Sequence, residues 1–256
     1  MNRAIYPILS GALAQERRLQ VFANNIANVN TAGFKQDQQV FKAVMARRIA
    51  GPPPVPGIHT IGNHVGAAPA GHNERVYTAP HVTRTNFDIG RTRMTGNPLD
   101  LAIQGDGFFE LKTPQGTRYT RTGMLSLDTR RRLVTSAGFP VLGLKGEIKI
   151  PPGNIQINSV GGIQVDGQTV GTIKVVQFDD NSMPGKSEDG LFMGGAPKVM
   201  ATPMLQPGHL EESNVNSLGE MVKLIEGMRT YESAQKMIQT IDHMSEVAIQ
   251  EVGRVL

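Results

Sequence analysis

The chain is expected to be an α+β protein, with N- and C-terminal helices paired as a coiled-coil-like α domain and a central, mostly antiparallel β domain between them. Three observations lead there. Apolar side chains recur at helical spacing at both ends, a Pro- and Gly-rich stretch stops the first pattern, and short β-type runs alternate with turn residues through the middle. With 29 Gly and 16 Pro against 9 Phe, 4 Tyr and no Trp in 256 residues, a helical bundle over the whole length is excluded.

Near the N-terminus Ile5, Leu9, Ala12, Leu19, Ala23 and Ile26 form a four-and-three stripe interrupted only by Glu16. Pro7 suits a first helical turn, where its missing N–H costs nothing, and Gly33 can take positive φ at the exit. The spacing predicts a helix over about residues 5–29. Asn24, Asn25, Asn28 and Asn30 crowd its end, where their amides can bond orphan carbonyls or a neighbouring chain. Gly51-Pro52-Pro53-Pro54-Val55-Pro56-Gly57 then stops any helix and opens a polar, extended arm running to about Asn73.

From Asn86 to about Met204 the β-type runs are Leu99 to Ile103, Phe108 to Leu111, Tyr119 to Thr122, Leu133 to Thr135, Ile148 to Ile150, Ile155 to Ile157, Ile163 to Val165, and Thr172 to Phe178. Past them, Leu224, Tyr231, Ala234, Ile238, Ile241, Ala248, Val252 and Val255 make one stripe, and Leu218, Met221, Val222, Ile225 and Met228 an adjoining one. Ser217-x-x-Glu220 reads as a capping box, with Ser213 or Asn214 an earlier cap, so this helix starts near 214–218 and runs almost to Leu256. The segments divide the chain into 1–32, 33–85, 86–208 and 209–256: helix, arm, β domain, helix. Two helices alone leave half of each wide stripe in water, which predicts self-association.

Composition narrows the function. No cysteine excludes a disulfide scaffold, a thiolate zinc site and a cysteine nucleophile. The net charge of +4 is unevenly spread: residues 1–49 carry 7 Lys/Arg against 2 Asp/Glu, and residues 210–256 carry 4 against 8. The two ends therefore attract, although exposed pairs contribute only ~0.2–1 kcal/mol each and apolar burial must carry most of the affinity. The basic excess is not gathered into one stripe, so no nucleic-acid partner is expected. The Ala4–Gln15 run is shorter than the ~20 residues a bilayer needs, so the chain is not expected to be membrane-embedded. Ala12-Leu13-Ala14 mimics a signal cleavage site, but Pro7, Ser10 and Gly11 interrupt the run and the helical periodicity continues to Asn28.

The motif search finds no chemistry. Gly185-Lys186-Ser187 lacks the earlier Gly of a phosphate loop, which is Asp180 here, and reads as a surface turn. Gly105-Asp106-Gly107 has Glu110 at the third glycine place of a dinucleotide fingerprint and reads as a tight hairpin turn. Asp179-x-Asn181 fails as a calcium loop at Met183 and Pro184. His59, His64 and His72 read as solvated loop histidines rather than metal ligands. Arg118, Arg121 and Arg130 to Arg132 form the densest basic cluster, a solvated hairpin tip or a contact for an acidic subunit or anionic polymer. No Ser, His and Asp grouping has a motif around it. The expectation is no enzyme, no cofactor and no metal.

Ala23-Asn24-Asn25-Ile26-Ala27-Asn28-Val29-Asn30-Thr31-Ala32-Gly33-Phe34-Lys35 closely resembles the N-terminal signature of bacterial flagellar rod and hook proteins. Thr95-Gly96-Asn97-Pro98-Leu99-Asp100-Leu101-Ala102-Ile103-Gln104-Gly105-Asp106-Gly107-Phe108-Phe109 matches a second stretch, and Leu210-Glu211-Glu212-Ser213-Asn214-Val215-Asn216 leading into Glu220-Met221-Val222 a third. The resemblance implies an axial-rod subunit of the flagellar basal body, assembled helically in the periplasm with itself and other rod and hook axial proteins, and exported through the flagellar type III apparatus without a cleaved signal. Its paired terminal helices would form the inner tube, the drive shaft and export-channel wall, and the β domain the outer layer.

The chain looks like a rod protein rather than a hook-type one, which would carry a larger middle, and Phe139-Pro140-Val141-Leu142-Gly143-Leu144-Lys145-Gly146 before Ile148 to Pro151 looks more like a proximal-rod than a distal-rod protein. A rival of another class is a polyanion-binding β domain using the arginine cluster. Stripes and signatures together place the assembly interface on Leu9, Leu19, Asn24, Asn25, Ile26, Ala27, Asn28, Gly33 and Phe34 at one end. At the other they place it on Ser213, Asn214, Val222, Ile225, Tyr231, Ile238, Ile241 and Ala248.

Overall fold

A computed structural model describes residues 5–45, 76–179, 182–187 and 189–254. His59, His64 and His72, and the Pro-rich stretch, lie outside the described residues. Two helices bracket the strands: α1 (Ile5–Ala27) and α2 (Ser217–Arg254). The chain is therefore α+β with a central β domain, and every strand pairing of defined register is antiparallel. It divides into two compact units: Met1–Gln20 with Gln39–Thr83 and Ile225–Leu256, and Val21–Gln38 with Arg84–Leu224.

In the second unit a six-stranded sheet runs in the order Gly185–Lys186, Phe192–Met193, Gly116–Thr120, Phe108–Thr113, Val175–Gln177, Lys198–Val199. Its central hairpin pairs Phe109 with Thr120 and Lys112 with Thr117. A three-stranded sheet joins Ile155–Ile157, Gly162–Val165 and Gln168–Thr172, bulged between Ile163 and Gln164. Two pairs tie the approach to α2 back to the domain: Met204–Pro207 on Leu101–Gln104, and His209–Glu211 on Thr92–Met94.

The main core gathers Leu101, Ile103, Phe109, Leu111, Leu133, Val141, Ile150, Ile163, Ile173 and Val175, all nearly solvent-free. A second core holds Phe108, Tyr119, Val176, Phe178 and Phe192, whose rings meet edge-on, with Tyr119 and Phe178 centroids 4.9 Å apart. Ile148 to Ile150 is not a strand: Lys149 only bridges to Arg132, while Ile148 and Ile150 still point into the core.

Two helix expectations change. Asn216, not Ser217, caps α2, its side-chain oxygen accepting from Gly219 N at 3.1 Å and its carbonyl from Glu220 N at 2.9 Å. Glu220 is thereby freed from the capping box and turns inward, 1% exposed. Within the second unit α1 buries Phe22 and Asn25 and leaves Ala23 and Ala27 exposed, a face one residue N-terminal to the expected Ala23 and Ile26. The polar partners of Asn25 set that rotation.

In the first unit Ala12 and Ala14 of α1 are buried, while Leu9 and Leu13 are 45% and 53% exposed. The described ends of the arm, Asp37–Met45 and Val76–Thr85, pair as a two-stranded sheet. Phe109 is 0% exposed in the main core, so Phe109→Ala is expected to destabilise the β domain by about 3–5 kcal/mol, read as a lowered urea midpoint with unchanged slope.

Candidate functional site

The three signature stretches meet in one buried polar junction inside the second unit. α1 ends where Asn28 N donates to the carbonyls of Asn24 and Asn25, both at 3.2 Å, and the Asn28 amide adds a bond to Asn24 O at 2.9 Å. Inside this last turn Asn25, fully buried, acts as a substitute strand partner. Its Nδ2 donates to Asp37 O at 2.8 Å, and its Oδ1 accepts from Asp37 N at 3.0 Å. Such two-way pairing satisfies a backbone rung that has no neighbouring strand there.

Asn25 Nδ2 also reaches Glu220 Oε2 at 3.1 Å, joining the last turns of α1 to the first turn of α2. Glu220 Oε1 accepts from Gln36 Nε2 at 2.9 Å and Lys223 Nζ at 2.8 Å. Asn214 bonds the strap formed by residues 33–37: its Oδ1 accepts from Gln36 N at 2.7 Å, and its Nδ2 donates to the carbonyls of Asn86 and Asp88, each at 3.0 Å.

Deeper lies a charged triad. Glu211 Oε1 accepts from Lys35 Nζ at 2.7 Å and Oε2 from Arg121 Nε at 2.6 Å, with the three side chains 2–3% exposed. Gly90 N adds a third donor to the carboxylate, meeting Oε1 at 2.9 Å. Two cations facing one anion leave a buried positive excess, which carbonyl dipoles offset. Lys35 donates to Asp88 O at 2.7 Å, and Arg121 to Ile103 O at 3.0 Å, Gly105 O at 2.6 Å and Gly107 O.

Burial pushes the Glu211 carboxyl up, but the adjoining Arg121 and Lys35 charges outweigh it and hold the group below the ordinary carboxylate range. For Lys35 burial wins over the Glu211 attraction, and its ammonium loses its proton more readily than a free lysine.

Gly33 closes the strap against this triad. Its N–H donates to Glu211 O at 2.8 Å, its φ is +69°, and a Cβ there would stand 2.6 Å from the backbone of Arg121 and Thr122. Gly33 therefore serves a close approach six residues past the end of α1, not the helix cap expected of it.

Lys186 clamps the strap from the other side. Its Nζ donates to Lys35 O at 2.9 Å and Asp37 Oδ2 at 2.8 Å, 3.7 Å over the Phe34 ring. In the middle signature, Asp100 is buried and accepts from Thr95 Oγ1 at 2.7 Å and Asn97 Nδ2 at 3.1 Å.

Several expectations are corrected. Arg121 is consumed inside the triad, and Arg131 and Arg132 are tied down at the hairpin tip. Arg131 Nε donates to Ile150 O at 2.7 Å, and Arg132 bonds Asp128 at 2.8 Å and Glu147 at 3.2 Å. The arginine cluster is thus not one open basic surface for a polyanion. Gly105-Asp106-Gly107 turns the chain between strands of different sheets rather than within a hairpin, and supplies two of the carbonyls for Arg121. Gly185 and Lys186 form an edge strand, not a free turn.

Of the expected interface residues, Asn25 and Gly33 are buried in the chain's own junction, and Phe34 and Asn214 take part in it. Ser213 is half-buried, its Oγ accepting from Val215 N at 3.3 Å. Asn24 and Ala27 are exposed, and Ile26 and Asn28 half-buried. Leu9, Val222 and Ile225 are exposed, while Leu19, Tyr231, Ile238 and Ile241 are half-buried. The side chain of Ala248 lies outside the described ones.

Lys35, Lys186, Glu211 and Glu220 lie outside the interface that the sequence predicts, and Arg121 is expected there only as part of the basic cluster. Opposite charges on Lys35 and Glu211 inside two signatures were an available signal for one pair. Nothing local to Arg121 or Lys186 announces burial. Among the described residues no cluster of His, Asp and Glu could hold a metal ion, and no helix is long and apolar enough to cross a membrane.

An α+β chain whose signature residues make up its own internal junction defines a protein whose signatures serve structure. The comparisons specify which kind. Residues 5–35 match the family model described as flagella basal body rod protein, residues 102–167 the flagellar hook protein FlgE/F/G D1 domain, and residues 206–251 the flagellar basal body rod FlgEFG protein C-terminal model. The flagellar basal-body rod protein FlgF of Caulobacter vibrioides is 34% identical over 264 residues, covering all of both chains. FlgG of Bacillus subtilis is 34% identical over 95% of this chain and 97% of its own. FlgG of Borreliella burgdorferi is 32% identical over 97% and 98%. The chain belongs to the flagellar basal-body rod protein family, and is a structural rod protein rather than an enzyme.

Glu211→Gln is expected to cost about 3–5 kcal/mol at neutral pH, because Lys35 and Arg121 lose their shared anion while remaining buried. A carboxylate held below its unfolded value stabilises fully above that value, ~4.3, and loses the contribution as pH falls through the lowered one. The gap between wild type and variant should therefore close on acidification, measured by urea unfolding at a series of pH values. Gly33→Ala is expected to lose at least about 1–2 kcal/mol from its positive φ alone, with reduced amide protection of residues 33–38 as the local readout.

Proposed function

We propose that the chain is a self-assembling subunit of the proximal rod in the flagellar basal body, associating through its terminal helices. In this reading α1 and α2 pair in coiled-coil fashion with each other and with neighbouring copies. They form the inner tube that serves as drive shaft and export-channel wall, and the β domain forms the outer layer. Residues 1–32 and 209–256 supply the tube, 33–85 the connecting arm and 86–208 the outer domain. Its partners are further copies, other axial rod and hook proteins, and the type III export apparatus that delivers it across to the periplasm without a cleaved signal. The segment Phe139 to Gly146 before Ile148 to Pro151 supports proximal over distal rod; the relatives carry both FlgF and FlgG names.

One observation carries the association. The early turns of α2 expose Leu218 at 73%, Met221 at 46%, Val222 at 50%, Ile225 at 52% and Met228 at 48%, a contiguous apolar face on a single helix. The second stripe, Leu224, Tyr231, Ala234, Ile238 and Ile241, is half-buried in the same chain. Ionised groups are ill-suited to a closed apolar seam, since burying a lone carboxylate costs several kcal/mol.

Val222→Asp and Ile225→Asp, separately, are therefore expected to abolish rod incorporation while leaving the β domain's urea midpoint unchanged. Normal motility and rod assembly with both variants would remove this face from the interface.

A further inference from the structure

With no cysteine in the chain, methionine sulfur is its only readily oxidised sulfur. Among the described residues no methionine belongs to the buried core. The methionines of α2 are among the most open: Met221 is 46% exposed, Met228 48%, Met237 55% and Met244 57%. Met221, Ile225 and Met228 follow at four- and three-residue steps, so the two thioethers flank an isoleucine on one helix face beside Leu218 and Val222. A thioether adapts its shape to an irregular apolar contact, and a sulfoxide carries a strong acceptor that such a contact leaves unpaired.

We propose that Met221 and Met228 form a reversible oxidation site that switches off association through α2. This rests on the reading of α2 as the association face. The oxidant is a peroxide. The sulfur lone pair attacks one peroxide oxygen, the O–O bond breaks as the S–O bond forms, and the other oxygen leaves as water with both hydrogens. Sulfur is oxidised by two electrons and the peroxide reduced by two. Methionine sulfoxide reductases return the thioether, with a dithiol supplying the electrons and becoming a disulfide. The exposed methionines of the β domain, Met94 and Met204 among them, lie away from this face in sequence and serve as an internal control for general damage.

The test uses the full chain and its Met221→Leu/Met228→Leu variant, each before and after limited hydrogen peroxide. Peptide mass spectrometry locates the added oxygens, and sedimentation reports self-association. Each untreated protein sets its own reference affinity, and each oxidised sample is compared with its own untreated form. Oxidised wild type should associate about tenfold or more weakly, since a buried unpaired polar group costs at least one decade in affinity, and reductase with dithiol should restore it. The oxidised variant should keep its affinity although its β-domain methionines carry oxygen.

Unchanged association of wild type with Met221 and Met228 verified as sulfoxides overturns the proposal. So does equal loss in the variant, or failure of these two to oxidise when Met94 and Met204 do. Absence of self-association in the untreated protein would overturn the assembly reading itself, and this proposal with it.

Discussion

Glu211 carries a negative charge in a place from which water is almost excluded, and tolerates it only because Lys35 and Arg121 approach from two other parts of the chain. None of the three can be buried alone, since an unpaired ion there would cost several kcal/mol. The triad is therefore all-or-none: residue 35 follows α1, residue 121 ends the central hairpin, and residue 211 precedes α2. Its geometry is further specified by backbone. Two carbonyls of the 105–107 turn and that of Ile103 in the strand before it receive Arg121, and Gly33 comes so close to the Arg121 backbone that no side chain fits.

Around that centre the chain spends its amides on linking segments that share no sheet. Asn25 imitates a strand neighbour for Asp37, Asn214 holds Gln36 to the 86–88 segment, and Glu220 accepts from Asn25, Gln36 and Lys223 at once. Helix propensity disfavours an asparagine at position 25, inside the last turns of α1, and Asn214 lies before α2 rather than in it. Their value is tertiary, since each satisfies backbone groups that the irregular strap leaves without partners.

Two kinds of residue thus do two kinds of work. The polar signatures, together with their glycines, close the junction inside one subunit, whereas ordinary Leu, Met, Val and Ile side chains on α2 remain uncovered. Polar networks demand fixed partners at fixed distances, which suits an internal lock. Apolar contact is non-directional and tolerates small changes of angle, which suits the association proposed for this face.

The element order was legible because periodicity is a local property: α1 and α2 begin and end within a few residues of where the stripes place them, and Leu133–Thr135 and Ile155–Ile157 fall on the runs that announce them. The family was legible for a related reason, because its three signatures are contiguous strings. What those strings do was decided by tertiary structure. Asn25 looked free to meet a neighbour until Asp37 and Glu220 closed on it, and Glu220 looked like a cap until Asn216 took that place. Arg121 looked like part of a solvated basic tip, because a charge shows in sequence but its counter-charge, 90 residues away, does not. Spacing along the chain reports which face a residue shares with its neighbours. Whether a charge is buried depends on groups brought from elsewhere, and only the folded chain supplies them.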